Sequence, residues 1–286
     1  MLRTIAARIV ALLMAPLCLL TAWITDLTEP FPENVAEPVS SKNFGLLEAL
    51  PRCQGVTTDG TSWYYSWNFG LLKTDMNDKI TASNFIAIPL SYLLQGSDHI
   101  GGISCWDGKI YCPLEHGPDF LHSYILIYDA KTLRFTGKAY ELPRDLQKTG
   151  VPWVAVDGPR GVAYTAEWSG AGVLNVYNLE DFTLKETVPL SAPLNSVQGA
   201  EVYDGILYCS EDSGDEKTIL AVDPETGKVT PVFNRNLGHA IEAEDMTVLP
   251  MQDGSFFHCI ETGSKHLDVI FHRARINVRF NHYKMP

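Results

Sequence analysis

The sequence lacks the short motifs by which many enzymes and metal proteins are recognised. It has no Gly-x-Ser-x-Gly nucleophile elbow, no His-Glu-x-x-His zinc motif, no Cys-x-x-Cys pair and no glycine-rich loop that opens a helix. Each of these motifs places a nucleophile, a metal ligand or a phosphate cradle at a fixed spacing, so its absence argues against the corresponding chemistry. Asn-x-Ser/Thr glycosylation sites are missing as well.

Positive charge is scarce. Lys and Arg number 22 against 34 Asp and Glu, which gives a formal net charge of −12 over the 286 residues. Arg3 and Arg8 are the only charged residues of positions 1–25, so removing their +2 leaves −14 for the rest. An acidic body repels nucleic acid and anionic membrane surfaces. We therefore predict no nucleic-acid partner, and a membrane contact only through the N-terminal segment.

One long hydrophobic run lies near the N-terminus, between Ile9 and Ile24. Its 16 residues are long for the apolar part of a signal peptide and short for a membrane-spanning helix. Residues 1–25 are predicted to be a signal peptide or an N-terminal membrane anchor, and residues 26–43 a linker rich in Pro, Glu and Ser. Either alternative makes residues 44–286 a secreted (extracellular or periplasmic) or membrane-tethered domain.

The sequence does contain a phrase that returns five times: an apolar stretch, an Asp-Gly pair and an aromatic-rich stretch. The successive aspartates are 48, 50, 47 and 49 residues apart; they are Asp59, Asp107, Asp157, Asp204 and Asp253. Asp-Gly between alternating stretches indicates a tight hairpin, and a period of this size is typical of a β-propeller. The sequence therefore predicts an all-β fold, a single β-propeller of five four-stranded blades. Six blades remain an alternative if residues 26–51 supply strands.

Several details follow from the blade pattern. Residues 44–50 or 276–280 should supply the strand that closes the ring, residues 267–274 an outer strand of the fifth blade, and residues 89–96 the one helix longer than a turn or two. Three of the five cysteines after residue 25 fall at matching places in second strands: Cys112, Cys209 and Cys259. We expect these three thiols to fill the core, and no disulfide between Cys105 and Cys112.

In a propeller, the starts of the first strands and the ends of the second strands emerge on one face, around the central channel. The side chains predicted there form what we call the funnel. Its ligand-binding candidates are Gln54, Trp67, Trp153, Glu167, Gln198, Glu211 and Glu244. Exposed Trp beside acids suits sugars or cations, although packing between blades is the alternative for each Trp.

Carboxylates gathered around one funnel repel each other unless they separate, take up protons or hold a cation. Oxygen ligands with one or two histidines suit Ca²⁺, Mn²⁺ or Zn²⁺. The candidate metal ligands are His99, Glu115, His116, Asp245 and Glu261. The same positions could instead only shape a polar pocket, or lie on a solvated rim. For catalysis, Glu115 or Glu261 would act as general acid or base with His99 as its partner.

Parts of the sequence resemble two known propeller families. CQGVTTDGTSWYYSW (53–67) resembles the opening blade of the five-bladed glutamine cyclotransferases, and QGAEVYDGILYC (198–209) is similar to a later blade, in which Glu201 is the acid before the hairpin. Residues 199–212 and 244–274 also resemble olfactomedin-type five-bladed domains in rhythm. The first resemblance implies cyclization of N-terminal glutamine. The second implies an extracellular interaction module with a buried Ca²⁺ site.

These observations lead to one expected function and one alternative. We expect an exported binding module for a small polar molecule, a peptide or a glycan, with Ca²⁺ or another divalent cation as a candidate cofactor in the funnel. The alternative is a propeller enzyme, of the hydrolase, lyase or glutaminyl cyclotransferase type, that uses funnel carboxylates and His99 as acid and base.

Overall fold

Antiparallel hairpins build the molecule, because each Asp-Gly pair turns the chain between two strands of alternating pattern. At Asp107-Gly108 and Asp204-Gly205 all four residues have positive φ, between 48° and 77°, as the favoured type I′ hairpin turn requires. The computed structural model describes residues 37–117, 119–215, 217–263 and 277–286. The strands of these residues form five antiparallel sheets arranged as the blades of a propeller.

The blades follow one another along the chain, except that the first strand, β1 (Ser40–Phe44), belongs to the last blade. Blade 1 contains β2 (Gly55–Thr58), β3 (Ser62–Trp67), β4 (Gly70–Asp75) and β5 (Ile80–Asn84). Blade 2 contains β6 (Ser97–Ile100) and β7 (Ser104–Trp106), which together make its inner strand, then β8 (Lys109–His116), β9 (Ser123–Asp129) and β10 (Phe135–Glu141).

The remaining blades are built in the same way. Blade 3 contains β11 (Ala155–Asp157), β12 (Val162–Thr165), β13 (Ala171–Asn178) and β14 (Leu184–Leu194). Blade 4 contains β15 (Val197–Tyr203), β16 (Ile206–Glu211), β17 (Thr218–Asp223) and β18 (Lys228–Asn234). Blade 5 contains β19 (Ile241–Val248), β20 (Phe257–Gly263), β21 (Val278–Tyr283) and β1 as its outermost strand. The prediction of five four-stranded blades is confirmed.

Strands from both ends of the described domain meet in blade 5 and close the ring. β1 pairs with β21 from Ser40 opposite His282 to Phe44 opposite Val278, so the closing sheet draws strands from both ends of the domain. Of the two segments predicted to close the ring, residues 276–280 overlap β21 at 278–280, whereas the prediction for residues 44–50 is wrong beyond Phe44. There the chain turns into the short helix α1 (Leu46–Ala49) and a 3₁₀ turn at Leu50–Arg52, and the closing strand lies earlier, within the segment predicted as a linker.

Of the other predicted details, some are confirmed and the rest concern residues that the structure does not describe. Helix α2 (Leu90–Gln95) lies within residues 89–96, where a helix was expected. A second 3₁₀ turn lies at Arg144–Leu146. The cysteines Cys112, Cys209 and Cys259 are fully buried in the cores between sheets, and no described cysteine forms a disulfide. The predicted outer strand at 267–274 and the apolar run of residues 9–24 lie outside the described residues. Among those described, no helix is long and apolar enough to cross a membrane.

Candidate functional site

Four predicted funnel residues from three blades form one hydrogen-bonded chain. His99 in β6 contacts two of the other residues, one through each ring nitrogen. Its Nδ1 is 2.7 Å from Glu115 Oε2 in β8, and its Nε2 is 2.5 Å from the Oε1 atom of Gln54, which lies just before β2. Gln54 Nε2 continues to Glu244 Oε1 in β19 at 3.4 Å, and Thr262 donates to the same oxygen at 3.2 Å. We call Gln54, His99, Glu115 and Glu244 the mouth network.

The mouth network is largely withdrawn from solvent. The side chains of His99 and Glu115 are 12% and 7% exposed, and Gln54 and Glu244 are buried. Gly150 lies against Glu115, where an added Cβ would come 2.1 Å from Oε1, so a larger residue would force the carboxylate to move. The register of β6 and β8 sets His99 opposite Glu115, which brings this pair together from the strand positions alone.

The hydrogen bonds fix the protons of the mouth network. Gln54 Nε2 donates to Cys53 O and to Glu244 Oε1, and turning the amide over would place its oxygen against those two acceptors. Gln54 Oε1 therefore accepts a proton from His99 Nε2. The short contact between His99 Nδ1 and Glu115 Oε2 requires another proton, which the two atoms share. With the proton on Nε2, His99 and Glu115 together hold two protons and carry no net charge. The pair can present an N–H donor at Nε2 to any group that replaces Gln54.

Below the mouth network, Asp245 lies at the centre of the ring. Its carboxylate is fully buried and accepts backbone N–H bonds from Val56 at 2.9 Å, Ile103 at 3.0 Å and Met246 at 2.8 Å. Burial raises the pKa of this carboxyl well above its usual value, against the opposing effect of the backbone donors. Since its donors come from blades 1, 2 and 5, Asp245 ties three inner strands together and occupies the axis.

A second carboxylate, Glu201, lies further along the channel toward the hairpin face. Its Oε2 accepts hydrogen bonds from Thr57 and Thr247, each at 3.1 Å, from the inner strands of blades 1 and 5. Burial raises the pKa of Glu201 to about 7. Glu201 falls outside the predicted funnel positions, because it lies within β15 and not at the start of the strand. Its place two residues after Gly199, on the same face of β15, is the signal that marks it as facing the channel.

The five predicted metal ligands are not brought together. His99 and Glu115 are in contact, but His116 is on the other face of β8, where its Nε2 binds Gln95 O at 2.8 Å. Asp245 is held by backbone donors on the axis. Among the described residues, no group of three His, Cys, Asp or Glu side chains is placed to hold a metal ion.

Glu261, a predicted metal ligand and catalytic residue, is also away from the mouth network. It is fully buried and accepts hydrogen bonds from Asn281 Nδ2 and Tyr283 OH, each at 2.6 Å. Burial raises its pKa, and the charge of Arg235 opposes that rise. Glu261 belongs to the face of β20 that packs toward blade 4, so it cannot act together with His99.

The remaining ligand-binding candidates differ in accessibility. Trp153 is fully buried in the core between blades 3 and 4, so for this residue the packing alternative is correct. Trp67 is half-buried and packs edge-on against Phe69, with ring centroids 5.4 Å apart. Three polar candidates are also half-buried: Glu167, whose carboxylate accepts from Lys148 N at 3.0 Å, Gln198 and Glu211.

No protein-family model matches the sequence, and no curated protein is significantly similar to it. Solved structures are similar in fold. Glutaminyl cyclase from Myxococcus xanthus superposes with a TM-score of 0.54 at 12% identity, covering 90% of this chain and 100% of the cyclase. The protein is a five-bladed β-propeller. Hydrazine synthase from Kuenenia stuttgartiensis superposes with a TM-score of 0.46 at 13% identity, covering 80% of the propeller chain and 62% of the synthase. At 12% identity, the superposition on the cyclase shows shared architecture alone.

Proposed function

We propose that this propeller is a binding module that holds a small polar ligand at the mouth network. The observation that carries the proposal is the continuous chain from Glu115 through His99 and Gln54 to Glu244, built from three blades at one end of the central channel. Convergence of strand ends from different blades is how propellers and other closed β-folds form ligand sites.

A contribution to folding stability does not by itself explain why these four polar residues are buried together. Removing two charges from water costs several kcal/mol per ion, and buried ion pairs can often be replaced by apolar side chains without loss of stability. A polar chain of this kind is instead what a ligand site needs, because its donors and acceptors are already oriented before the ligand arrives.

The proton positions define the chemistry of the ligand. A ligand that displaces the Gln54 amide must offer an oxygen acceptor to His99 Nε2 and a donor to the carboxylate of Glu244. Amides, amino acids and sugars carry both kinds of group. Ca²⁺ or another divalent cation would have to displace protons from the His99–Glu115 pair, so we treat it as a second ligand class for the same test.

Acid–base catalysis at the same residues is the second candidate function. The 2.7 Å contact between His99 Nδ1 and Glu115 Oε2 favours it, because a carboxylate that orients a histidine leaves Nε2 to exchange a proton with a substrate. The fold shared with a glutaminyl cyclase makes a peptide with N-terminal glutamine the first substrate to assay.

We also propose that the domain works outside the cytoplasm. The apolar run between residues 9 and 24, behind Arg3 and Arg8, supports this location. Cell fractionation of the full chain, with protease accessibility of residues 44–286, tests the proposal; a protected cytoplasmic domain would contradict it.

Thermal melting in the presence of candidate ligands tests the proposed function. The panel contains glutamine, a dipeptide with N-terminal glutamine, glucosamine and CaCl₂, each compared with buffer of equal ionic strength. A ligand that binds only the folded state adds about 2.7 kcal/mol of stability at one hundred times its dissociation constant. We expect at least one compound to raise the melting temperature, and Glu115→Gln to remove that rise.

The chain supplies a matched control for this variant. His122 and Glu141 form a second histidine–glutamate pair, with Nδ1 and Oε1 2.6 Å apart, on the exposed surface of the same blade. Glu141→Gln should keep every ligand response of the wild type. If no compound shifts the melt, or if Glu115→Gln responds like Glu141→Gln, the mouth network is not the ligand site.

A further inference from the structure

Consecutive carboxylates in β19 both face the channel, which a regular strand does not allow. Glu244 contacts Gln54, and Asp245 contacts the backbone of Val56 and Ile103. In a regular strand, neighbouring side chains point to opposite faces. Here the register shifts between Ala243 and Met246, so that two residues of β19 lie opposite one residue of β20. This β-bulge redirects Asp245 onto the axis while Glu244 stays at the mouth.

The bulge gives up regular pairing with β20, and blade 4 supplies replacement hydrogen bonds. Ser210, at the end of β16, donates from Oγ to the backbone oxygen of Glu244, and Ala243 O lies 3.5 Å from the same hydroxyl. Asp212 Oδ1 accepts from Ala243 N at 2.8 Å and is also paired with Lys217 at 2.8 Å.

A buried arginine fixes the direction of the Ser210 hydroxyl. Arg235 Nη2 donates to Ser210 Oγ at 3.1 Å, and Arg235 Nε donates to Lys217 O at 2.8 Å. Both Ser210 and Arg235 are fully buried. Since the arginine can only donate, the hydroxyl oxygen must accept from it and turn its own hydrogen toward the bulge. The direction of the bond from Ser210 to Glu244 O is therefore set from blade 4.

We propose that Ser210, which contacts the mouth network only at the backbone oxygen of Glu244, and Arg235, which orients the Ser210 hydroxyl, are positioning residues that hold the Glu244–Asp245 bulge and thereby orient the ligand site. The inference rests on the proposed function of the mouth network. Loss of the Ser210 hydroxyl removes the hydrogen bond from blade 4 to Glu244 O, and the bulge then relaxes toward regular pairing. Relaxation moves the Glu244 carboxylate away from Gln54, and Gln54 away from His99.

The test uses the ring nitrogens of His99, whose ¹⁵N chemical shifts report protonation and hydrogen bonding without any ligand. We compare the full-length wild type with Ser210→Ala and Ser210→Thr, which keeps the hydroxyl. Ser255→Ala is the matched control, because Ser255 in blade 5 is a buried serine like Ser210, and its hydroxyl bond, to Asp253 at 2.6 Å, lies at the hairpin face. We expect Ser210→Ala to shift the Nε2 resonance of His99, Ser210→Thr to restore it, and Ser255→Ala to leave it unchanged.

The outcomes separate a positioning role from a structural one. If Ser210→Ala lowers the melting temperature as Ser255→Ala does but leaves the His99 signals at their wild-type positions, Ser210 only packs two blades and the proposal is wrong. Should Ser210→Ala fail to fold, Ser210→Cys keeps the volume, weakens the donor and allows the same comparison. The NMR readout needs no ligand, so a failure of this proposal can be distinguished from a failure of the proposed function, which the ligand panel tests.

Discussion

Acid should destabilise blade 5 through two histidines that the mouth network does not use. His258 Nδ1 in β20 is 2.6 Å from His282 Nδ1 in β21, and His258 Nε2 is 2.8 Å from Leu249 O. A carbonyl only accepts, so His258 carries its proton on Nε2 and must accept at Nδ1 from the N–H of His282. A second proton on His258 would face that N–H directly, so acid opposes this arrangement unless His282 moves its own proton to Nε2.

The magnitude follows from the burial of His258. Its side chain is fully buried, and desolvation lowers its pKa from 6.5 to about 4. As the pH falls below 6.5, His258 is protonated in the unfolded chain, whereas in the folded chain it is protonated only near pH 4. The contribution of His258 to the free energy of unfolding is therefore fully present above pH 6.5 and is lost as the pH falls from 6.5 to 4. Linkage gives a loss of about 2 kcal/mol at pH 5 and about 3 kcal/mol at pH 4. His282, whose pKa burial also lowers, adds to the loss.

The assay must isolate this contribution, because buried carboxyls act in the opposite direction. Burial raises the pKa of Glu201 to about 7 and that of Asp245 well above its usual value, so both favour the folded state as acid is added. We therefore compare wild type with His258→Gln, whose amide can still donate to Leu249 O but does not titrate. Urea unfolding at pH 7.5, 6 and 5 gives the difference in free energy between the two proteins.

We expect the advantage of wild type over His258→Gln to shrink by about 2 kcal/mol between pH 7.5 and pH 5. The m-value should stay the same in both proteins at each pH, which shows that the same surface unfolds. An advantage that is constant over this range would refute the reasoning, because it would mean that His258 binds its proton equally well in the folded and unfolded chains.

Two glycine substitutions test the channel and the mouth. In Gly199→Ala the new methyl would lie 1.6 Å from Asp245 Oδ1 and 2.5 Å from its Cα. We therefore expect the free energy of unfolding, measured in urea, to fall by more than about 3 kcal/mol. Wild-type stability in this variant would show that Asp245 is free to move. In Gly150→Ala the methyl would lie 2.1 Å from Glu115 Oε1 at a φ of +100°, so we expect a loss of about 1–3 kcal/mol and of every ligand response; unchanged ligand binding would contradict the geometry of the mouth network.

The fold and part of the site could be predicted because their signals are local. An Asp-Gly turn specifies a hairpin by its own backbone preferences, and five such turns at equal spacing leave one architecture. His99 and Glu115 were predicted for the same reason: one hairpin joins their strands, so positions near its open end must be neighbours. Gln54 and Glu244 follow once the blades are placed side by side.

The errors arise where one residue of register decides the outcome. His116 follows Glu115 directly, yet alternation along β8 sends it to Gln95 O on the other face. Glu261 occupies the same strand-end position in blade 5 that Glu115 occupies in blade 2, but it faces Asn281 and Tyr283. Asp245 reaches the axis only through a bulge, and nothing in the local pattern of β19 specifies where an extra residue is inserted.

A final pair of variants separates a site retained for function from one retained for folding. His99→Leu alone leaves the Glu115 carboxylate buried without its partner, which should cost about 3–5 kcal/mol. Adding Glu115→Met removes that charge, so we expect the double variant to recover most of the loss in urea unfolding while it binds no compound of the panel. Recovery would mean that apolar side chains satisfy the fold as well as the pair does, so the pair is retained for its chemistry. A double variant less stable than His99→Leu would mean that the mouth network holds the blades together, and the proposed function would lose its main support.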